Sequence, residues 1–180
     1  IKICSVLGKV FEGTLAERLM NRLENDLPPQ QGGFRRGVGT VETLVFLTEE
    51  WHSRLNNPGS EYRGVNAVLL DLSKAFDRVD RRLIIHQLRR AGVEGRVLGV
   101  LRAFLTGRTQ QTRIGTSLSG ELADEHGTPQ GSCLSPLLFL VYMMGIELGL
   151  RGRIALYADD VTLYSVADTR TQQLADLQYD

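Results

Sequence analysis

Three apolar segments that adjoin aspartates constrain the fold of this chain more than any other feature. Residues 65–72 form an apolar run that contains Asp71 near its end, and such a run predicts a buried β-strand. Two further apolar segments, residues 154–157 and 161–164, flank an Ala-Asp-Asp link at 158–160, and this pattern predicts a β-hairpin. If the strand and the hairpin are neighbours in one sheet, three carboxylates meet at one edge of that sheet.

Helical patterns occupy most of the remaining chain. Apolar periodicity and turn residues predict helices over residues 6–27, 40–55, 81–90, 95–105 and 135–148, and polar strands over 110–114 and 120–125. The expected inward-facing residues are Val10, Leu15, Leu19 and Leu23 in the first helix, and Leu44, Leu47 and Trp51 in the second, which Thr40 is expected to cap. This order of elements predicts an α+β fold with a small antiparallel sheet packed on helices.

Composition excludes several classes of protein. Apolar residues make up 42% of the chain and charged residues 23%, as in ordinary globular proteins. No apolar run reaches the roughly 18 residues that a membrane span requires. Cys4 and Cys133 cannot form a disulfide framework by themselves, and both are expected to be buried thiols in a reducing compartment.

Local charge is more informative than the net charge of zero. Residues 78–113 contain nine arginines against only two acids, Asp80 and Glu94. Such a run either forms a solvated helix surface or follows a phosphate backbone, because arginine pairs with phosphate oxygens through two hydrogen bonds. Both interpretations stay open from the sequence.

The three aspartates suggest a metal site when they are considered together. Singly, Asp71 could cap a helix, and Asp159 and Asp160 could fill a hairpin turn. Two carboxylates about 4 Å apart repel by roughly 4 kcal/mol at an effective dielectric near 20, so convergence requires a counter-charge. Oxygen ligands without nearby His or Cys favour Mg²⁺ or Mn²⁺, and two such ions can stabilise an in-line displacement at phosphorus. His52, His86 and His126 lack metal-ligand spacing and are expected to be structural or surface residues.

Four segments resemble motifs of reverse transcriptases. Residues 69–79, Leu-Leu-Asp-Leu-Ser-Lys-Ala-Phe-Asp-Arg-Val, are similar to the first palm motif, and residues 127–136 contain a Pro-Gln-Gly motif. Residues 157–160, Tyr-Ala-Asp-Asp, resemble the YxDD box. Residues 31–37 resemble a finger segment of the non-LTR retrotransposon and group II intron branches, and residues 5–12 favour the non-LTR branch.

The resemblance implies a right-hand polymerase palm with part of the fingers, and an RNA-directed DNA polymerase activity. Its substrates would be dNTPs, a DNA primer and an RNA template, and its cofactors two Mg²⁺ ions, with Mn²⁺ as an alternative. The site residues implied are Asp71, Asp159 and Asp160 for catalysis and metal binding, Ser73, Lys74, Ala75, Phe76, Gln130 and Gly131 for the nucleotide, and Arg35, Arg36 and Tyr157 for template and primer.

Several of these roles have structural alternatives. By resemblance Phe76 is a steric gate that excludes the ribose 2′-hydroxyl, but its ring could also serve only core packing. Packing is likewise an alternative for Tyr157, and a plain surface position is an alternative for Arg35 and Arg36. The backbone N–H groups of 73–75 could hold a triphosphate, and glycine at 131 would permit close approach of a base.

The family pattern also predicts the domain organisation. Residues 1–64 would be partial fingers with finger–palm helices, and residues 65–180 the palm, with the thumb and N-terminal fingers absent. The first residue is not Met, which suggests an internal piece of a polyprotein that polymerises poorly alone. Localisation to the nucleus and cytoplasm of a host cell follows from the resemblance alone. The alternatives are a group II intron-type enzyme, a viral RNA polymerase, which Phe76 disfavours, or a non-catalytic nucleic-acid-binding remnant of a decayed element.

Overall fold

A computed structural model describes residues 6–180, and the chain divides into two compact units. Among the described residues, unit 1 comprises 6–26 and 74–142, and unit 2 comprises 27–73 and 143–180. Each unit is therefore assembled from two stretches of chain that are far apart in sequence. Cys4 lies outside the described residues. The predicted division into fingers and palm stays a prediction, because compactness does not identify those subdomains.

The elements are those of a mixed α/β protein with small antiparallel sheets, which confirms the α+β class. The helices of the described residues are α1 (Val6–Leu23), α2 (Thr40–Leu55), α3 (Ala75–Arg78), α4 (Arg81–Arg90), α5 (Gly95–Leu105), α6 (Ser135–Tyr142) and α7 (Arg170–Tyr179). The strands are β1 (Asn66–Asp71), β2 (Thr109–Gln110), β3 (Arg113–Ile114), β4 (Ser117–Leu118), β5 (Leu122–Ala123), β6 (Arg153–Tyr157) and β7 (Asp160–Ser165). No helix within residues 6–180 has the length and apolarity of a membrane span.

Unit 1 has a helical core in which α4 packs against both α5 and α6. The predicted bounds of α4 and α5 are confirmed, because their apolar residues recur at helical spacing and face this core. The polar strands form two short antiparallel pairs, β2 with β5 and β3 with β4. Side chains that are fully buried in these three helices include Ile84, Leu88, Leu101, Leu105, Leu138 and Leu140.

Two predicted helices are shorter than expected, and one predicted inward residue of α1 is exposed. Helix α1 ends at Leu23 rather than at residue 27, and its Val10 is 66% exposed, so the prediction that Val10 faces inward is wrong. Helix α6 ends at Tyr142 rather than at residue 148. Gly145 and Gly149 beyond it adopt φ of 81° and 89°, left-handed values that are incompatible with a continuing helix.

Unit 2 is built on a three-stranded antiparallel sheet with strand order β1-β7-β6. Helix α2 packs on β6, and α7, which the sequence did not predict, packs on β7 and β1. Trp51 of α2 contacts Tyr164 of β7 edge to face, with ring centroids 6.0 Å apart. Burial, reinforced by a hydrogen bond to Glu50, raises the pKa of Tyr164, so its hydroxyl stays protonated as a donor.

The prediction that residues 65–72 form a buried strand is wrong in one respect. The strand exists as β1, but Leu69 is 78% exposed, and Val68 and Leu70 are 40% and 42% exposed. Among the described strands β1 pairs only with β7, so it lies at the edge of the sheet. An apolar run indicates a strand, but its burial depends on how the strand is covered in the tertiary structure.

Helix α2 also departs from two predictions. Gly39, not Thr40, is its N-cap, and the Gly39 N–H donates to the carboxylate of Glu42 over 2.7 Å. Leu47 is buried as expected, but Leu44 is 60% exposed. Leu44 instead lines a cavity beside the sheet.

Candidate functional site

Asp71 and Asp160 face each other at one end of the sheet in unit 2. Asp71 is the last residue of β1, Asp160 is the first residue of β7, and the two are direct cross-strand partners. Cβ atoms of directly opposed residues lie about 4.5–5.5 Å apart on the same face, and like charges in that arrangement destabilise a sheet. The strand pairing therefore brings together two of the three predicted carboxylates.

Asp159 lies in the turn next to this pair. The link between β6 and β7 is two residues long, Ala158 and Asp159, because Asp160 already belongs to β7. Ala158 has a φ of +56°, a left-handed value that is uncommon for a residue other than glycine. The turn that carries Asp159 is thus a local conformation that requires support from the surrounding structure.

No ion pair neutralises the three carboxylates within the described part of the chain. None of Asp71, Asp159 and Asp160 forms a side-chain hydrogen bond or ion pair with any residue in 6–180. Oxygen donors without a neutralising Arg or Lys fit a hard divalent cation in their chemistry. Across the same residues, however, no three metal-ligating side chains are close enough to hold an ion. The structure brings Asp71 and Asp160 together, and a three-carboxylate cluster stays a prediction.

A cavity of about 430 Å³ lies beside the carboxylate pair within unit 2. The half-buried Tyr157 shares its wall with Asp71 and Asp160, so the structure places these three predicted site residues together. The remaining lining residues come from α2 and from the sheet and are Thr40, Thr43, Leu44, Leu47, Leu69, Leu70, Val161 and Thr162.

Gln31 is a residue of this region for which the sequence predicted no individual role. It is 1% exposed, and its side-chain Oε1 accepts hydrogen bonds from the Gly33 and Ala158 N–H groups, each over 2.9 Å. Its Nε2 donates to the Ala158 carbonyl over 3.2 Å. A polar residue followed by two glycines was the available signal, but its partner lies 127 positions away in sequence.

The backbone around Gln31 lies against the end of β6. Gly32 N–H donates to the Leu156 carbonyl over 2.8 Å, and Leu156 N–H donates to the Gln30 carbonyl over 2.9 Å. A Cβ atom on Gly33 would lie 2.2 Å from the Ala158 nitrogen, so only glycine permits this approach.

The two finger-segment arginines take different positions. Arg35 is half-buried and donates to the Pro28 carbonyl over 3.2 Å, whereas Arg36 is exposed. Their contact with a template stays a prediction.

Unit 1 holds most of the residues predicted to bind the nucleotide. Phe76 in α3 stacks on Phe139 with ring centroids 4.6 Å apart. The Pro-Gln-Gly loop packs on the same segment, since Thr128 N–H donates to the Phe76 carbonyl over 2.8 Å and Gln130 Nε2 donates to Asp77 over 3.0 Å. Gly127 has a φ of 72°, and a Cβ on it would lie 2.5 Å from the Phe76 carbonyl oxygen. The structure thus places Gln130 and Phe76 on two segments that are hydrogen-bonded to each other.

The other predicted nucleotide-binding residues lie along the exposed parts of these loops. Lys74 has a φ of 55°, and its carbonyl accepts hydrogen bonds from two N–H groups of α3. Gly131 has a φ of 83° and is exposed. Ser73, in unit 2, is also exposed, and Ala75 is half-buried. Whether residues 73–75 cradle a phosphate stays a prediction.

Glu12 supports the far end of the Pro-Gln-Gly loop. This side chain is 8% exposed, and it accepts hydrogen bonds from the Ser132 hydroxyl over 2.5 Å and from the Cys133 N–H over 3.0 Å. Cys133 is exposed, so the prediction that it is a buried thiol is wrong. Its two chain neighbours, Ser132 and Leu134, are buried instead, which leaves the Cys133 side chain on the outside of the loop.

The arginine run does not form one uniform surface. Arg81 is buried, forms an ion pair with Asp124 over 3.0 Å, and donates to the Gly127 and Leu105 carbonyls. It therefore supports the fold. Seven others, Arg78, Arg82, Arg89, Arg90, Arg96, Arg102 and Arg113, are exposed, and so are the three histidines His52, His86 and His126.

The chain matches, over residues 1–178, the family described as reverse transcriptase (RNA-dependent DNA polymerase). The chain belongs to the reverse transcriptase family. This confirms the resemblance carried by the four motifs. The family uses divalent metal ions, which agrees in general terms with the predicted cofactor.

Relatives of this reverse transcriptase chain come from mobile elements. It is 32% identical over 173 residues to the probable RNA-directed DNA polymerase from transposon BS of Drosophila melanogaster, covering 91% of the chain and 18% of that relative. It is 33% identical over 168 residues to the corresponding protein of the X-element of the same species, with 89% and 18% covered. A third relative, from retrotransposable element R2 of Popillia japonica, is 32% identical over 140 residues, with 77% and 19% covered. These relatives confirm the non-LTR prediction, and the chain spans about a fifth of their length.

One solved structure shows the same fold. Telomerase from Candida albicans, solved with the TWJ fragment of telomeric RNA, superposes with a TM-score of 0.61 over 97% of this reverse transcriptase chain and 32% of its own. At 11% sequence identity, this similarity supports the fold alone.

Proposed function

We propose that this protein is an RNA-directed DNA polymerase of a non-LTR retrotransposon, which transfers nucleotides from dNTPs to the 3′-hydroxyl of a DNA primer on an RNA template. The observation that carries the proposal is the Asp71–Asp160 pair, with Asp159 beside it, in a chain of the reverse transcriptase family. Family membership gives the reaction class, and the uncompensated carboxylates give a reason for a metal at this place.

Asp71, Asp159 and Asp160 would hold the divalent ions in this proposal, two Mg²⁺ ions with Mn²⁺ as an alternative. Bound there, the ions would supply charge stabilisation to the attacking and leaving oxygens of phosphoryl transfer. The carboxylates themselves fix where positive charge collects, because no other described side chain neutralises them. Their placement on paired strands keeps Asp71 and Asp160 in a constant relation to each other.

The remaining site residues orient the substrates. Phe76, Gln130, Gly131 and residues 73–75 are assigned to the nucleotide, with Phe76 limiting the space at the sugar. Arg35 and Arg36 are assigned to the template strand and Tyr157 to the primer end. In family terms the chain supplies the palm and part of the fingers, and it works with the remaining domains of a polyprotein in the nucleus and cytoplasm of the host cell. Alone, the 180 residues are expected to polymerise poorly.

The carboxylate assignment is tested by substituting Asp71, Asp159 and Asp160 singly with Asn in the complete protein. Mn²⁺ binding is followed by electron paramagnetic resonance, and polymerisation by primer extension. We expect Mn²⁺ binding to be lost and extension to fall by more than about 100-fold, since groups that only orient metal ligands already cost about 10- to 100-fold. Glu61→Gln, at an exposed acid of unit 2, is the matched control and should change neither measurement.

Stability without metal separates loss of the site from misfolding. Asp160→Asn is expected to be at least as stable as the wild type in the absence of divalent ions, because it relieves a like-charge pair that costs about 0.2–1 kcal/mol. A wild-type protein that extends no primer would contradict the polymerase proposal. Full activity of the Asp71 and Asp160 variants would contradict the metal site.

A further inference from the structure

We propose that Gln31 is a positioning residue for Asp159, acting through the peptide groups of Ala158. This inference rests on the proposed function and adds to it a residue with no contact to substrate or metal. The buried side-chain amide of Gln31 forms one hydrogen bond with each polar backbone group of Ala158, over 2.9 and 3.2 Å. Gln31 therefore holds the residue that immediately precedes Asp159.

Ala158 requires such a partner because its conformation is unfavourable on its own. A φ of +56° is rare for a side-chain-bearing residue, and a two-residue hairpin link has other conformations available to it. The Ala158 conformation sets the direction in which the next Cα–Cβ bond leaves the turn. The Gln31 amide thereby fixes the position of the Asp159 Cα–Cβ bond, and so of its carboxylate, relative to the Asp71–Asp160 pair.

Gln31 is itself held rigidly, so it can impose this geometry. The backbone of Gln30 and Gly32 is hydrogen-bonded to Leu156 on both sides of Gln31. The Oε1 atom of Gln31 also accepts from Gly33 N–H over 2.9 Å, which orients the amide plane. Position 33 must be glycine for this approach, because a Cβ atom there would lie 2.2 Å from the Ala158 nitrogen.

Only an amide of this length meets both requirements of the turn. A glutamine supplies an acceptor for two N–H groups and a donor for one carbonyl. Gln31→Glu keeps the acceptor and loses the donor, and Gln31→Met keeps the approximate volume and loses both. Gln30→Met is the matched control, since the adjacent Gln30 side chain is half-buried and its Oε1 accepts no hydrogen bond from any residue within 6–180.

The test measures Mn²⁺ affinity, kcat and KM for dNTP, and thermal melting in the complete protein. We expect Gln31→Met to weaken Mn²⁺ binding and lower kcat by about 10- to 100-fold, the range seen when groups that orient metal ligands are removed. The KM for dNTP and the affinity for primer–template should stay within about twofold of the wild type. Gln31→Glu should lose less Mn²⁺ affinity and kcat than Gln31→Met. Gln30→Met should match the wild type in both quantities.

A double-mutant cycle shows whether the effect passes through Asp159. In an Asp159→Asn background, where Mn²⁺ binding is already expected to be lost, Gln31→Met should cause no further fall in the residual kcat. Unchanged Mn²⁺ affinity and kcat in Gln31→Met alone would overturn the proposal, and so would a full additional fall in kcat in the Asp159→Asn background. If Gln31→Met does not fold, Gln31→Glu takes its place in the cycle with the same criteria. Failure of the wild type to extend any primer would overturn the proposed function instead, because Mn²⁺ affinity reports on Gln31 without polymerisation.

Discussion

The ring of Phe76 has a structural and a proposed chemical role at the same time. It stacks on Phe139 in the core of unit 1, and it remains half-buried rather than fully enclosed. The Pro-Gln-Gly loop is hydrogen-bonded to the Phe76 carbonyl, so the ring's backbone is fixed independently of its side chain. A substitution at Phe76 is therefore expected to change the shape of the proposed nucleotide-binding site without releasing the loop.

We expect Phe76→Val to reduce discrimination against ribonucleotides by about 10- to 200-fold, the range that one or a few methylene-sized changes produce in a shaped pocket. The measurement is single-nucleotide incorporation of matched dNTP and rNTP by the complete protein. Phe139→Leu is the control, because it disturbs the same ring stack without shortening Phe76. Lower stability with an unchanged rNTP-to-dNTP ratio in both variants would make Phe76 a packing residue only.

At the scale of elements, α4 is stabilised by a charge at its first turn. Asp80 is the N-cap and accepts a hydrogen bond from the Arg82 N–H over 2.8 Å, and its carboxylate pairs with the Arg82 guanidinium over 3.2 Å. The Arg82 side-chain hydrogen bond, followed by backbone hydrogen bonds, lowers the pKa of Asp80. The folded protein therefore binds this proton less tightly than the unfolded chain does.

Asp80→Ala is expected to cost about 1 kcal/mol at pH 7, the usual value of a lost N-cap, and Asp80→Asn considerably less. Because the folded-state pKa is lowered, the contribution of the charge is present above about pH 4 and is lost as the pH falls through the lowered pKa. Denaturant unfolding from pH 7 to pH 2 should show the wild type approaching Asp80→Asn in stability at the acid end. Arg82→Met, which removes the first cause of the shift, should reduce this pH dependence, and an unaltered profile would contradict the assignment.

At the scale of the whole molecule, the two units are interleaved in sequence. The pairing of β1 with β7 joins residues 66–71 to residues 160–165, so this sheet cannot form from any local segment. Gln173 of α7 ties the same region together, since it is fully buried and accepts hydrogen bonds from the Asn66 backbone and side chain over 2.9 and 2.7 Å. Unit 2 thus depends on long-range contacts, which form late because loop closure must come first.

Removal of residues 143–180 is expected to leave β1 unpaired, because its described strand partner and α7 are both lost. Amide hydrogen exchange should then show residues 66–71 exchanging at the rate of an unfolded chain. The amides of Ile84 and Leu88 in α4 serve as the internal control. Helix α4 packs on α5 and α6, and both of these described partners lie within residues 74–142. Retained protection of residues 66–71 in the shortened chain would contradict this dependence.

The sequence by itself determined the elements whose signals are local. The bounds of α4 and α5, the hairpin around the two aspartates and the four family motifs follow from residues within a few positions of each other, because helix hydrogen bonds and turn conformations span that distance. The tertiary structure alone decided that β1 is an exposed edge strand, that Cys133 faces outward and that Gln31 holds Ala158. Burial and long-range hydrogen bonds depend on which elements become neighbours in space, and no periodicity or spacing along the chain records that choice.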